Sequence, residues 1–215
     1  MAQKTRPDIA EWLRSLGNVP LDRIVLDPLP GTATERDLLT LVERRERLVE
    51  LIDGTLVEKP VGHKESQIAM RLAIALGNFI QPRKLGYLTG EAGMLRMKSG
   101  QVRLPDLTFV SVEDVPGGVV PDEPIPELPP TLAVEVISES NTAAEMRLKT
   151  KEYFESGSRL VWLIYPKTKS VAVFVSASAE PTRTLAEGDT LDGSPALPGF
   201  SIPVSDIFAP LTRGS

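Results

Sequence analysis

Apolar positions along the chain follow two rhythms. In residues 63–83 they recur as Ile68, Leu72, Ala75, Leu76, Phe79 and Ile80, a period near 3.6 that predicts a long helix closed by Pro82 and Gly86. Leu38, Leu39, Leu41 and Val42 repeat the spacing behind the start signal Thr34-Glu-Arg-Asp37, which predicts a helix ending near residues 45–47. IAEWLRSLG (9–17) predicts a short helix stopped by Gly17. Thr142-Ala-Ala-Glu145 fits a capping box, and the helix it opens ends at Gly157. On that helix Glu145, Lys149 and Tyr153 are four apart and share one face.

The second rhythm is extended. LVELIDGTLVEK (48–59) carries Asp53-Gly54 between two apolar runs, a hairpin signal. Residues 87–97 and 102–112 predict two strands joined by a turn at Ser99-Gly100. Residues 131–138 are apolar on both faces, the mark of a central buried strand, and LVWLIY (160–165) reads the same way. Residues 171–175 return as a strand, and residues 184–208 form short extended pieces between Gly and Pro turns. Residues 19–33 are Pro-rich and predict an extended arm suited to packing or subunit contact. Residues 113–130 carry too much Pro and Gly for a helix or central strand. The division expected is an arm with a short helix (1–33) and one domain (34–215).

Composition narrows the chemistry. The 215 residues, 41% hydrophobic and 25% charged, suit one soluble domain with a sizeable core. No run spans a bilayer, and MAQKTRPDIAEW lacks an apolar signal core, so a cytoplasmic protein without membrane partners is expected. Cysteine is absent and His63 is the one histidine, which excludes thiolate and multi-histidine metal sites within one chain. A metal would be held by carboxylates and carbonyls, which favours Mg²⁺, Mn²⁺ or Ca²⁺. The net charge of -5 argues against a broadly basic surface but leaves a local basic groove open.

Residues 104–146 contain no Lys or Arg, yet hold Asp106, Glu113, Asp114, Asp122, Glu123, Glu127, Glu135, Glu139 and Glu145. For residues 113–127 a solvated acidic loop is the preferred reading. Glu135 is different, because it lies inside the doubly apolar strand. A buried carboxylate is costly unless paired, hydrogen-bonded or metal-bound. Asp106 starts a neighbouring strand and Lys149 stands on the following helix. Two carboxylates on adjacent strands can hold a hard cation, and a nearby lysine can orient or deprotonate water or stabilise developing negative charge. The plainer alternatives are a structural ion pair at Glu135 and a surface pair of Glu145 with Lys149.

ELIDGTLVEKP, the His63 turn, PDLTFV, LAVEVIS, the E-x3-K-x3-Y-x3-G series from Glu145 to Gly157, and VWLIYP occur in this order. Together, over roughly residues 34–208, they resemble the Uma2 family, also called DUF820. The resemblance implies an α/β fold of the α+β type: a restriction-endonuclease-like core with a mixed β-sheet flanked by helices, here with extra C-terminal strands. It also implies membership of the PD-(D/E)XK nucleases. Asp106 then matches the PD aspartate and Glu135 the second acidic position. The usual lysine position, two residues after that glutamate, is Ile137 in this chain. The resemblance implies a migrated lysine, Lys149. Glu50 matches the family's extra carboxylate beside the metal, and His63 a recurrent position without an assigned role.

The reading expected is therefore a Mg²⁺- or Mn²⁺-dependent DNA endonuclease, a homodimer, with Asp106, Glu135 and Glu50 as metal ligands and Lys149 completing the catalytic set. A non-catalytic nucleic-acid-binding or assembly module is the alternative, favoured by Ile137 and the low basicity. A glycoside hydrolase would need an aromatic-rich cleft, which 5% aromatic content does not suggest. On sequence grounds Lys149→Met should leave folding intact, Asp106→Asn should be neutral or stabilising, and Lys151 should face away from Lys149.

Overall fold

The structure is a computed structural model of the chain and describes residues 8–44 and 47–209. Helix α1 (Ile9–Ser15) starts at a capping box of Asp8 and Glu11. Gly17 follows at φ +78°, and a Cβ there would lie 2.6 Å from the Cα of Glu145, so only glycine lets the arm close on the domain. Helix α2 (Glu35–Glu43) opens on the reciprocal Thr34–Asp37 box and is capped by Arg44. Its expected end at 45–47 falls partly on residues 45 and 46, outside the described residues. Strands β1 (Val49–Ile52) and β2 (Thr55–Glu58) form the hairpin, with Asp53 and Gly54 both at positive φ as its turn demands. Helix α3 (His63–Arg83) buries Ile68, Leu72, Leu76 and Ile80, the stripe its period predicts.

The two long strands expected next are each broken. Residues 87–97 become β3 (Gly86–Gly90) and β4 (Leu95–Arg96), parted by a turn at residues 91–93. Residues 102–112 become β5 (Val102–Arg103) and β6 (Leu107–Ser111), parted at Pro105. The halves lie in different sheets. The physical reason is the backbone chemistry at the breaks: Gly93 sits where a Cβ would meet Thr89 Oγ1 at 2.6 Å, and Pro105 has no N–H for a ladder. These breaks matter, since they put Arg103 and Asp106 on either side of one corner.

Strand β7 (Leu132–Val136), helix α4 (Ala143–Ser156) and strand β8 (Leu160–Tyr165) form a β-α-β unit, with β7 and β8 parallel. Thr142 and Glu145 make the capping box of α4, and Gly157 ends it at φ +117°. Strands β9 (Ser170–Phe174) and β10 (Arg183–Leu185) complete a six-stranded mixed sheet of order β10-β9-β8-β7-β6-β3. A smaller sheet has order β2-β1-β5-β4. Strands β11 (Thr190–Asp192) and β12 (Ser201–Pro203) pair apart, followed by helix α5 (Val204–Phe208).

Alternation along β7 sorts its side chains. Leu132, Val134 and Val136 pack with α3, Trp162, Phe200 and α5, and each such buried side chain contributes about 1.5–3 kcal/mol. Ala133 faces α4 with Tyr153, Met146 and Leu163. Glu135 shares that second face by the same period. The arm packs on its own chain: Leu16, Val19 and Ile24 lie against Ile52 and Val57, and Ile24 bridges to Val57 on the edge of the small sheet.

Candidate active site

The corner at Pro105 places the first carboxylate. Leu107 pairs with Val134, so Asp106 lies one step outside the ladder, opposite Glu135. Asp106 Oδ2 accepts the Val136 N–H at 2.6 Å. Its Oδ1 lies 2.8 Å from Lys59 Nζ. The same ammonium donates to the Leu104 carbonyl, so Lys59 spans the corner.

Helix α4 supplies the second group. Lys149 Nζ lies 3.2 Å from Glu135 Oε1 and 2.8 Å from Glu50 Oε1. Tyr153, one turn further on, donates its hydroxyl to the same Glu135 oxygen. Glu50 on β1 also accepts the Leu104 N–H at 3.1 Å. Arg103 completes the cluster, reaching Glu50 Oε2 at 2.9 Å and gripping Glu152 of α4 at 2.6 and 3.1 Å. Glu50, Arg103, Glu135, Lys149, Glu152 and Tyr153 are all buried.

Three of the four singled-out residues, Glu50, Glu135 and Lys149, thus meet directly, and Asp106 faces Glu135 with its own lysine. The surface pair of Glu145 with Lys149 does not form. Lys149 is 2% exposed, and Glu145 is held by both terminal nitrogens of Arg23 at 2.9 and 2.7 Å. His63 begins α3, is exposed, and sits 3.0 Å from the Gln67 amide nitrogen, outside the cluster. Glu113, Asp122, Glu123 and Glu127 are exposed, as a solvated acidic loop should be, whereas Asp114 departs from that expectation: it is half-buried and accepts from the Thr131 hydroxyl and from Arg159. Ile137, where the usual lysine would stand, packs beside the core under α4.

Electrostatics divides the two glutamates. Burial works against ionisation of both. At Glu50 the charges of Lys149 and Arg103 outweigh burial and hold the carboxyl down at about 2. At Glu135 burial wins, with Asp106 and Glu50 adding repulsion, and the pKa is raised despite Lys149 and Lys59. Burial likewise disfavours the Lys149 ammonium, but Glu135 and Glu50 outweigh it, raise its pKa and keep it charged. Four carboxylates (Glu50, Asp106, Glu135, Glu152) share three cations (Lys59, Arg103, Lys149), one negative charge in excess. The cluster meets solvent at Asp106, which lies at the edge of a cleft of ≈ 280 Å³ lined by Ser66, Ala69, Met70 and Ala73 of α3 and residues 90–93.

Lys59, Arg103, Glu152 and Arg23 carry much of this arrangement and were not singled out by the sequence pattern. A signal existed for Arg103, a charge between Val102 and Leu104 in an otherwise apolar step. Lys59 and Arg23 stand in turn and arm segments where a lysine or arginine is unremarked.

The segment 36–205 matches the Uma2 family, described as "Putative restriction endonuclease". The chain belongs to the Uma2 family. The Uma2 match contains Glu50, Lys59, Arg103, Asp106, Glu135, Lys149 and Glu152, while Arg23 precedes it. Among solved structures, the Uma2 chain is similar to "a putative nuclease belonging to DUF820" from Anabaena variabilis ATCC 29413, at 18% identity and TM-score 0.64, covering 76% of this chain and 90% of that one. At this identity the likeness speaks for the fold: the α/β, restriction-endonuclease-like architecture with a mixed sheet between helices. No curated protein matches the sequence. No helix among the described residues is long and apolar enough to cross a membrane.

Proposed function

We propose that this Uma2 protein is a divalent-metal-dependent endonuclease that hydrolyses DNA phosphodiester bonds. One observation carries the reading: α4 delivers a charged lysine, Lys149, to Glu135 although Ile137 occupies the usual PD-(D/E)XK lysine position. Two-strand cutting needs two such centres, so the working form proposed is a homodimer.

The donors fit Mg²⁺ or Mn²⁺ in kind. Asp106, which borders the cleft, and Glu135, buried behind it on the next strand, offer hard oxygens in a cluster short of positive charge. Glu50 is the third acidic donor and is bound to Arg103 and Lys149. Among the described residues no three acidic or histidine side chains gather to hold an ion unaided. Mg²⁺ sites often use only one or two carboxylates, with water and substrate phosphate completing the shell. A divalent cation there would supply Lewis acidity toward a phosphodiester.

The residues divide the remaining work. Lys149, kept protonated by Glu135 and Glu50, suits stabilisation of negative charge on the transferring phosphate better than proton abstraction. Glu50 holds the Lys149 ammonium, and Tyr153 fixes the Glu135 carboxylate it hydrogen-bonds. Asp106, fixed by the Val136 N–H, presents the cluster to the cleft.

Supercoiled plasmid incubated with the protein and Mg²⁺ or Mn²⁺ should be nicked, and EDTA should abolish nicking. Intact plasmid, linear duplex and single strands under both ions would reject the nuclease reading. The second reading, a binding or assembly module, is favoured by one fact: Glu50, Asp106, Glu135 and Glu152 each already have a cationic partner. Retention of DNA in a gel shift without any cleavage would establish it.

A further inference from the structure

Lys59 is the buried charge that the proposed mechanism leaves idle. Its side chain is 3% exposed, its ammonium sits 2.8 Å from Asp106 Oδ1, and the Leu104 carbonyl anchors it from behind. The other Asp106 oxygen is committed to the Val136 N–H. Lys59 therefore occupies the Asp106 oxygen that makes no backbone hydrogen bond. Its charge is also felt at Glu50 and Glu135. Asp106 is the most exposed member of the cluster, at 14% for its side chain, and it borders the cleft.

We propose that Lys59 is a built-in competitor for the divalent cation: its ammonium neutralises Asp106 and keeps the carboxylate placed until the ion enters from the cleft and displaces it. This rests on the metal-dependent reading above. A mobile ammonium in this position solves a physical problem. Asp106 and Glu135 repel across the strands, and the Lys59 ammonium offsets that repulsion until the ion takes over. A fixed guanidinium would hold the corner but block the ion. Lysine is a single point charge on a flexible stem with three rotatable donors, able to release Asp106 while keeping the Leu104 carbonyl. Lys149 cannot take this part, because Glu50 and Glu135 hold it from two sides.

Competition has a consequence opposite to that of a structural ion pair. If the ion must displace Lys59, its apparent affinity is reduced by the fraction of molecules in which Asp106 is free. Lys59→Met removes the competitor and should tighten Mn²⁺ binding by about tenfold. A merely structural Lys59 would loosen the corner when removed and weaken binding. Calorimetric titration of the full chain with Mn²⁺ separates these outcomes. Lys59→Arg keeps a charge at Asp106 and should not tighten binding. Wild type and Lys59→Met binding Mn²⁺ equally, or the variant binding more weakly, overturns the competitor and leaves the metal site standing. Absence of Mn²⁺ binding in both proteins overturns the competitor and the metal site together. Should Lys59→Met fail to fold, the lysine ¹⁵Nζ spectrum of wild type serves instead. Mg²⁺ should shift the Lys59 ammonium resonance as it leaves Asp106, and an unmoved resonance at saturating Mg²⁺ overturns the proposal.

Discussion

The two faces of strand β7 are made by alternate residues of one short sequence, and they do opposite things. Leu132, Val134 and Val136 enter an apolar layer with α3 and Trp162. Glu135, one step away, enters a layer with Lys149, Tyr153 and the charges of Glu50 and Arg103. Burial of the first face stabilises the chain by the transfer of apolar surface from water. Burial of the second requires several ions to be desolvated, and their mutual attraction does little more than offset that loss. The α3 side is apolar throughout, whereas the α4 side sets a charged layer beside its own apolar cluster of Ala133, Met146 and Leu163, and the retention of that layer needs another reason, which we take to be chemistry.

Lys149→Met should break the charged face most. It leaves Glu135 without a cationic partner and Glu50 with Arg103 alone, and removal of one partner from a buried pair costs ~3–5 kcal/mol. This differs from the sequence expectation of intact folding, which took the contact to be dispensable. Asp106→Asn is revised similarly, because it deprives Lys59 of its ion pair instead of simply relieving repulsion with Glu135. Urea unfolding should show the Lys149→Met loss, and adding Glu135→Gln should recover part of it, since the carboxylate left without a cation disappears. Per folded molecule, cleavage should fall by on the order of 10²–10³-fold. Stability within ~1 kcal/mol of wild type would contradict the buried network.

Leu132→Ala is the matching break on the other face. It should cost ~2–5 kcal/mol through lost packing and a cavity beneath α3. Measured at a temperature where the variant is folded, its Mn²⁺ affinity and cleavage should stay near wild type. A tenfold loss of affinity would mean that the two faces are mechanically coupled and that the contrast is too sharp.

Acid separates the two glutamates of the charged face. Glu50 is held at about 2 against an ordinary 4.5, so the unfolded chain takes up that proton first. Its contribution is complete above pH 4.5 and is lost as pH falls toward 2, on the order of 3 kcal/mol in all. Glu135 has the opposite sign: its raised pKa favours the folded state at low pH, and that gain is lost as pH rises past the ordinary value. Thermal melts in EDTA should therefore show Glu50→Gln less stable than wild type at pH 7, with a flattened acid limb. Glu135→Gln should be at least as stable as wild type at pH 7. The same sign for both variants would refute the division.

Much of the fold was legible because local chemistry states it. Asp53-Gly54 made the hairpin, the Thr142–Glu145 box opened α4, and Gly157 closed it. The broken strands were less legible, since one proline and a three-residue turn decide them against continuous apolar runs. The site was legible in its carboxylates and obscure in its cations. Arg23 meets Glu145, Lys59 meets Asp106 and Arg103 meets Glu152 across long stretches of chain, and local periodicity contains no trace of such partners. Helix α4 misleads for a specific reason. Its buried face carries Glu145, Lys149 and Glu152, so a pattern that equates charge with solvent assigns that face to water.

Lys151 sharpens the comparison from the small end. It stands two residues from Lys149 on the same helix, yet is 63% exposed and pairs with Glu155 at 3.6 Å. The pair has lysine N-terminal to glutamate at i,i+4, the weaker orientation on a helix. Its length and exposure leave little Coulomb energy after screening. Lys151→Met should change stability by less than ~0.5 kcal/mol. Cleavage and Mn²⁺ affinity should also remain at wild-type values, because the residue touches none of the cluster. Met preserves the stem at both positions, so the two variants differ in which face of α4 loses its charge. Cleavage rates measured side by side at low and at moderate salt decide the meaning. Loss confined to Lys149→Met at both salts places the effect in the buried layer. Equal losses that fade as salt rises would instead trace both to general attraction for DNA, and the buried layer would lose its claim to the chemistry.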